Sequence, residues 1–181
     1  MKKLLTLLSS LLLTFTCLSV NYSEEVNAAY TQTKSGVFAQ VTAANTIEDK
    51  GEANLGTSDI VTINGVQYYV LRKYVSNGTK YAELITKNVY NQRFNTQTNA
   101  AYYSYASSAL KTYMDSFYTS YLANSAINDY IQSKTVTSYT STSIPTYPSL
   151  ANFNSYDKQY VAQKVYALDA QYAQTYASKF K

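Results

Sequence analysis

The chain has 181 residues, with 15 Lys and Arg against 11 Asp and Glu, no His, no Trp and one Cys. A formal charge of +4, dispersed along the sequence, is not the clustered basic footprint of a nucleic-acid binder, and suits only weak attraction to anionic envelope polymers. The absence of His removes the commonest general base and metal ligand, and a lone Cys rules out a disulfide within the chain.

Lys2 and Lys3 precede an apolar run from Leu4 to Val20 that is interrupted by Ser and Thr, and Val26-Asn27-Ala28 fits a signal-peptidase site. This pattern predicts a signal peptide over 1–28, cleaved after Ala28, and a secreted or cell-wall-associated product. A membrane span wants roughly 20 strongly apolar residues, so no stable span is expected after cleavage. Lipidation of Cys17 would need a Leu-x-small pattern before it, where Thr14-Phe15-Thr16 stands. The remaining chain of about 150 residues suits a single domain with a modest core, free of Cys and rich in Tyr, of which the whole chain has 21.

In chain order, 29–57 is small and polar and reads as an exposed, partly disordered lead-in, with only Val37 to Val41 suited to a short strand. The single α+β domain is expected over 58–181. Asp59 to Thr86 holds three runs rich in Val, Ile and Tyr separated by Asn64-Gly65 and Asn77-Gly78, the strongest two-residue hairpin signal. An antiparallel meander follows by counting, with Ile63 opposite Val66, Val61 opposite Tyr68, Arg72 opposite Glu83, Tyr74 opposite Tyr81, and Val70 opposite Ile85. One face would carry Val61, Ile63, Val66, Tyr68, Val70 and Ile85; the other would carry Ile60, Tyr69, Leu71, Val75 and Leu84. Apolar residues on both faces predict cover on both sides. Arg72 and Glu83 read as an exposed pair contributing about 0–1 kcal/mol, not as a site.

Lys87 to Ala101 reads as a long loop with one basic-aromatic cluster. Arg93 and Phe94, with the nearby Tyr102 and Tyr103, are the candidate binding residues, because long loops in compact domains often carry contacts. Ser107 or Ser108 can cap a helix with the stripe Leu110, Tyr113, Met114, Phe117, Tyr118 and Tyr121, closed by Leu122. A shorter helix from Asn124 or Ser125 would present Ile127, Tyr130 and Ile131. Thr135 to Ala151, with Pro145 and Pro148, reads as an extended surface stretch. Lys164 to Leu168 reads as a strand followed by a helix from Asp169 to Phe180; a continuous helix from Tyr156 to Lys179 is the competing reading.

Three pieces resemble domain-of-unknown-function family 6273, found on exported proteins of low-GC Gram-positive bacteria. Gly56 to Leu71 is similar to the family's opening hairpin. Ser108 to Asp115 with Phe117-Tyr118 is similar to its helix and following aromatic pair, and Lys164 to Asp169 to a later strand. The family's tryptophans are tyrosines here, and the segment that usually follows the third piece has no counterpart. The resemblance implies an α+β fold in which an antiparallel meander packs with two to four short helices, as an incomplete C-type lectin-like domain whose open sheet edge invites self-association or strand addition by a partner.

Export and the surplus of Tyr, Asn and Thr point to a non-catalytic module that binds cell-surface carbohydrate or protein, needing no cofactor and no metal. A truncated or degenerate domain with a structural role is the alternative. A carboxylate-based hydrolase would have to draw on Asp115, Asp129, Asp157 and Asp169, which fall singly along the chain. N-terminal sequencing of the exported protein is expected to begin at Ala29; a product beginning at Met1 would remove the leader reading.

Overall fold

In the computed structural model of the chain, described over residues 13–14, 16–21, 33–88, 90–91, 105–140, 157–168 and 174–180, both Asn-Gly dipeptides form hairpin turns. Asn64 and Asn77 lie at φ 46° and 50°, and Gly65 and Gly78 at 81° and 75°. Positive φ at both turn residues matches the twist of the flanking strands. The turns join β3 (Ile60–Ile63), β4 (Val66–Ser76) and β5 (Thr79–Thr86) in the antiparallel meander expected from the sequence.

The register departs from simple counting at one place. Tyr69 pairs with Ile85 and Val70 with Leu84, yet Arg72 pairs with Glu83, so Leu71 is an extra residue in a β-bulge. A bulge shifts the alternation of every later side chain on its strand. Val70 therefore faces Leu84, not Ile85. Leu84 joins Val61, Ile63, Tyr68 and Val70 in the larger core, while Ile85 joins Leu71 in a smaller core on the opposite face. Val75, expected on the second face, is 66% exposed.

The meander is part of a six-stranded sheet. β2 (Thr16–Asn21) runs antiparallel to β5 on one side, and to β10 (Val165–Ala167) and the two-residue β7 (Ile131–Gln132) on the other. The apolar N-terminal run thus supplies an internal strand of the full-length chain, with Leu18 and Val20 fully buried. Two small ribbons complete the strands: β1 (Leu13–Thr14) with β6 (Tyr90–Asn91), and β8 (Lys134–Thr140) with β9 (Asp157–Gln163). A strand at Asp157–Gln163 replaces the continuous helix from Tyr156 considered above. Asp169 lies outside the described residues, and of the helix expected after it the structure shows a short turn ending near Phe180.

Helices cover both faces. α1 (Lys34–Ala43) takes the place of the exposed lead-in and short strand: Thr33 caps it by accepting the Gly36 N–H at 3.2 Å, and Val37, Phe38 and Val41 enter the larger core. Those three apolar residues, spaced one and three apart, suit one face of a short helix as well as they suit a strand. Gln40 Oε1 accepts the Thr62 N–H at 2.7 Å. That bond occupies an outward donor of edge strand β3, one way of blunting an edge against unwanted pairing. Lys73 Nζ donates to the carbonyls of Thr42 and Ala44 at 2.9 and 2.7 Å, placing a cation at the negative end of α1.

The chain then rounds the sheet edge at Thr46, which pairs parallel with Val70, and forms α2 (Ile47–Lys50) on the second face. Ile47 packs there with Leu71, Ile85, Tyr166 and Tyr176. Tyr176 donates to Glu48 Oε1 at 3.1 Å, and the Glu52 N–H to the Lys179 carbonyl at 2.7 Å, which docks the C-terminal turn beside α2. Burial, then the Glu48 carboxylate, push the Tyr176 hydroxyl up to about 12.

α3 (Ala109–Phe117) is capped by Ser108, whose Oγ accepts the Lys111 N–H at 3.0 Å. Leu110, Met114 and Phe117 are buried as the stripe requires. The stripe then slips by one residue, because Tyr118–Leu122 is a π turn closed by the Ala123 N–H on the Tyr118 carbonyl. The wider turn sends Leu122 into the core and leaves Tyr121 42% exposed. In place of the shorter helix expected next, Asn128–Tyr130 is a single 3-10 turn running into β7. None of the described helices is long and apolar enough to cross a membrane.

Asp59 ties the α2 approach to β3. Its Oδ1 accepts the backbone and side-chain N–H groups of Asn45 at 2.8 and 2.9 Å, and its Oδ2 accepts the Gly56 N–H at 2.8 Å. Burial opposes ionisation, but these donors, helped by Lys50, outweigh it and hold the carboxyl below its ordinary 3.8. A depressed folded value stabilises the fold above 3.8, and that contribution is lost as pH falls through the lower folded value. Asp59→Ala is expected to cost about 2–3 kcal/mol at neutral pH. In thermal melts across acid pH the difference from wild type should shrink below pH 3.8; a constant difference would contradict the assignment.

Candidate functional site

The bulge determines where the chemistry gathers. By moving Arg72 onto the second face, it sets Arg72, Glu83, Tyr74 and Tyr81 side by side on two paired strands. The cluster lines an open cleft of about 290 Å³ completed by Gln132, Ser133 and Lys134, which follow from β7 into β8.

Glu83 is the centre of it, with no exposed surface. Arg72 Nε donates to Oε2 at 3.0 Å and Nη2 to Oε1 at 3.1 Å, a two-pronged guanidinium contact. Lys134 Nζ donates to Oε1 at 2.8 Å from a strand remote in sequence. Two cations thus hold one buried carboxylate, and both keep about a third of their side-chain surface in water. Their summed charge leaves the cleft with one net positive charge.

Aromatic rings flank the cations. Tyr74 and Tyr81 stack with centroids 5.3 Å apart and planes 17° apart. The Arg72 guanidinium lies 5.0 Å from the centroid of Tyr74, and Lys134 Nζ lies 5.2 Å from that of Tyr166, both within cation–π range. The pair Tyr74/Tyr81 is half-buried and lines the cleft, where its rings present apolar area.

Arg93, Phe94, Tyr102 and Tyr103, the residues singled out from the sequence, lie outside the described residues. The Arg72–Glu83 and Tyr74–Tyr81 pairs were legible by counting, yet the exposed character expected of Arg72 and Glu83 is wrong. Glu83 is sealed by β2 on one side and by Lys134 above it, neither of which a local register can show. Of the carboxylates a hydrolase would need, Asp115 is exposed and binds Lys111 at 2.6 Å one helical turn away, and Asp129 is exposed beside the turn before β7. Among the described residues no three His, Cys, Asp or Glu side chains converge as a metal site would require.

Two other depressions lie near β3. One, of about 500 Å³, is lined by Gln40, Thr57, Thr62, Gln67 and Lys87; the other, of about 330 Å³, adjoins the Asn64-Gly65 turn, Tyr90 and Tyr121. Both are open at the surface, as the cleft around Glu83 is, but neither is lined by a buried charged side chain. The cleft around Glu83 is therefore the stronger candidate.

No protein-family model, no curated protein and no solved structure matches this chain. The three motifs similar to family 6273 therefore carry no argument about the site, which rests on its own geometry.

Glu83→Gln would leave Arg72 and Lys134 facing each other without a counter-charge. A fully buried pair broken in this way costs about 3–5 kcal/mol; the wetted cations here place the expected loss nearer 2–3 kcal/mol. Denaturant unfolding of the variant checks it. A change below about 0.5 kcal/mol would mean that the cluster is not buried as described.

Proposed function

We propose that the chain is an exported, non-catalytic binding module whose cleft holds an anionic carbohydrate of the cell envelope. The observation that carries this reading is the stacked Tyr74/Tyr81 pair set against two partly exposed cations that share one buried carboxylate. Tyrosine rings accept the apolar faces of sugar rings while their hydroxyls meet the hydroxyl groups, and they do so with little conformational entropy to lose. Arg72 and Lys134 are pre-positioned by Glu83, so an acidic group on the ligand meets donors already ordered.

The same geometry argues for binding over hydrolysis. Glu83 already accepts three hydrogen bonds from cations, which commits its oxygens to holding Arg72 and Lys134 in place and leaves it poorly suited to carry a proton to a substrate. The signal-like N-terminus supports delivery to the envelope, where anionic polymers are abundant.

Purified full-length chain titrated with envelope glycans, anionic and neutral, and followed by tyrosine fluorescence should respond to the anionic set and less to the neutral one. Tyr74→Ala and Tyr81→Ala should each weaken binding by about 0.5–1.5 kcal/mol, roughly two- to tenfold, with the fold intact by circular dichroism. Binding that survives both substitutions, or shows no dependence on ligand charge or on salt, would remove the reading.

A further inference from the structure

β2 holds a position no other strand of the sheet shares. β5 lies on one side of it, and β7 and β10 on the other, and neither β7 nor β10 pairs with any other strand of the six. Five consecutive residues, Cys17 to Asn21, pair with Ile85 to Tyr81. On the core side, Leu18 sits opposite Leu84 and Val165, and Val20 opposite Ala82 and Ile131; all six of these side chains are buried. The residue between them, Ser19, lies at the register position opposite Glu83 and Gln132, beside the candidate cleft.

The strand that fills this position comes from the segment whose sequence reads as a cleavable leader. Its removal would strip β5 of its outer hydrogen-bonding partner and detach β7 and β10 from the sheet. We propose that the gap between β5 and β10 is a strand-acceptor site: the chain's own Thr16–Asn21 occupies it while attached, and after processing it receives an extended segment of a second polypeptide. Occupancy in trans rests on the leader being removed; the acceptor geometry does not. Backbone groups of β5 and β10 supply the affinity of such strand addition, and alternate side-chain positions supply the selectivity.

The register states what the incoming segment must be. Two aliphatic side chains flank one small polar residue, in the order Leu-Ser-Val of this chain, and the segment runs antiparallel to β5. A charge at either aliphatic position would be buried among Leu84, Val165, Ala82 and Ile131 without a partner.

The test uses full-length protein carrying a protease site inserted within 22–32. After cutting, the N-terminal fragment is removed in denaturant and the remainder is refolded alone, with a peptide of residues 13–22, with the same peptide carrying Leu18→Asp and Val20→Asp, or with an unrelated Thr-rich peptide bearing Leu-Ser-Val. The native peptide is expected to restore a single cooperative melt at one peptide per chain. The unrelated peptide should bind within about tenfold of it, and the Asp-bearing peptide should do neither. The inference is overturned if the cut chain refolds alone to the melting temperature of the intact protein, if no peptide restores folding, if the Asp-bearing peptide works as well as the native one, or if the cut chain pairs with its own copies and excludes peptide. N-terminal sequencing of exported protein reads leader removal separately, so loss of the export reading and loss of the acceptor site are distinguishable.

Discussion

One extra residue on one strand organises both faces of the sheet. The bulge at Leu71 keeps β5 in regular alternation while reversing that of β4 beyond Val70. Before it, Val66, Tyr68 and Val70 face the larger core; after it, Lys73 points the same way and reaches the end of α1. On the other face, Leu71 feeds the smaller core while Arg72 and Tyr74 turn toward Glu83 and Tyr81. Without the bulge, Arg72 would lie on the face that packs against α1, where a guanidinium would have to be buried among Val37, Val41 and Val61 at a desolvation cost of several kcal/mol.

The rest of the architecture follows from covering a sheet that is apolar on both sides. α1 and α3 close the first face, while α2 and the C-terminal turn close part of the second. The polar cluster sits on the part of the second face that none of the described helices covers. It tolerates water because its charges are paired and its rings are amphipathic. Its distance in sequence is the notable feature: Arg72 and Glu83 come from a local hairpin, but Lys134 arrives from another strand, and burial of Glu83 depends on β2 lying alongside β5. Stability and the shape of the cleft are thus coupled through one carboxylate, because Arg72 and Lys134 both line the cleft and keep Glu83 satisfied.

Edge management separates the two ends of the sheet. At β3 the strand is four residues long and Gln40 occupies an outward amide, so that edge is closed to pairing. At the other end the sheet depends on a strand drawn from the N-terminal segment. Among the described strands, the edge at β3 is thus blunted by a side chain, while β5, β7 and β10 are joined only through β2.

The sequence by itself determined what depends on neighbours in the chain. Two Asn-Gly turns set the hairpins, counting from them paired Arg72 with Glu83 and Tyr74 with Tyr81, Ser108 marked the start of α3, and the period of Leu110, Met114 and Phe117 marked its buried side. These are short-range effects of φ preference, capping and periodicity, and they need no knowledge of what lies across the fold. Tertiary structure alone decided the rest. The bulge exchanged Leu84 and Ile85 between faces, because a one-residue insertion leaves no signature in a run where Val70, Leu71, Leu84 and Ile85 are all aliphatic. The π turn moved Tyr121 out and Leu122 in for the same reason. Val37 to Val41 became helix because Phe38 and Val41 could be buried against the sheet, and the Arg72–Glu83 pair became a buried cluster because β2 and Lys134 closed over it. Burial is a property of what a residue meets, and for Glu83 the partners that matter lie about 50 or more residues away along the chain.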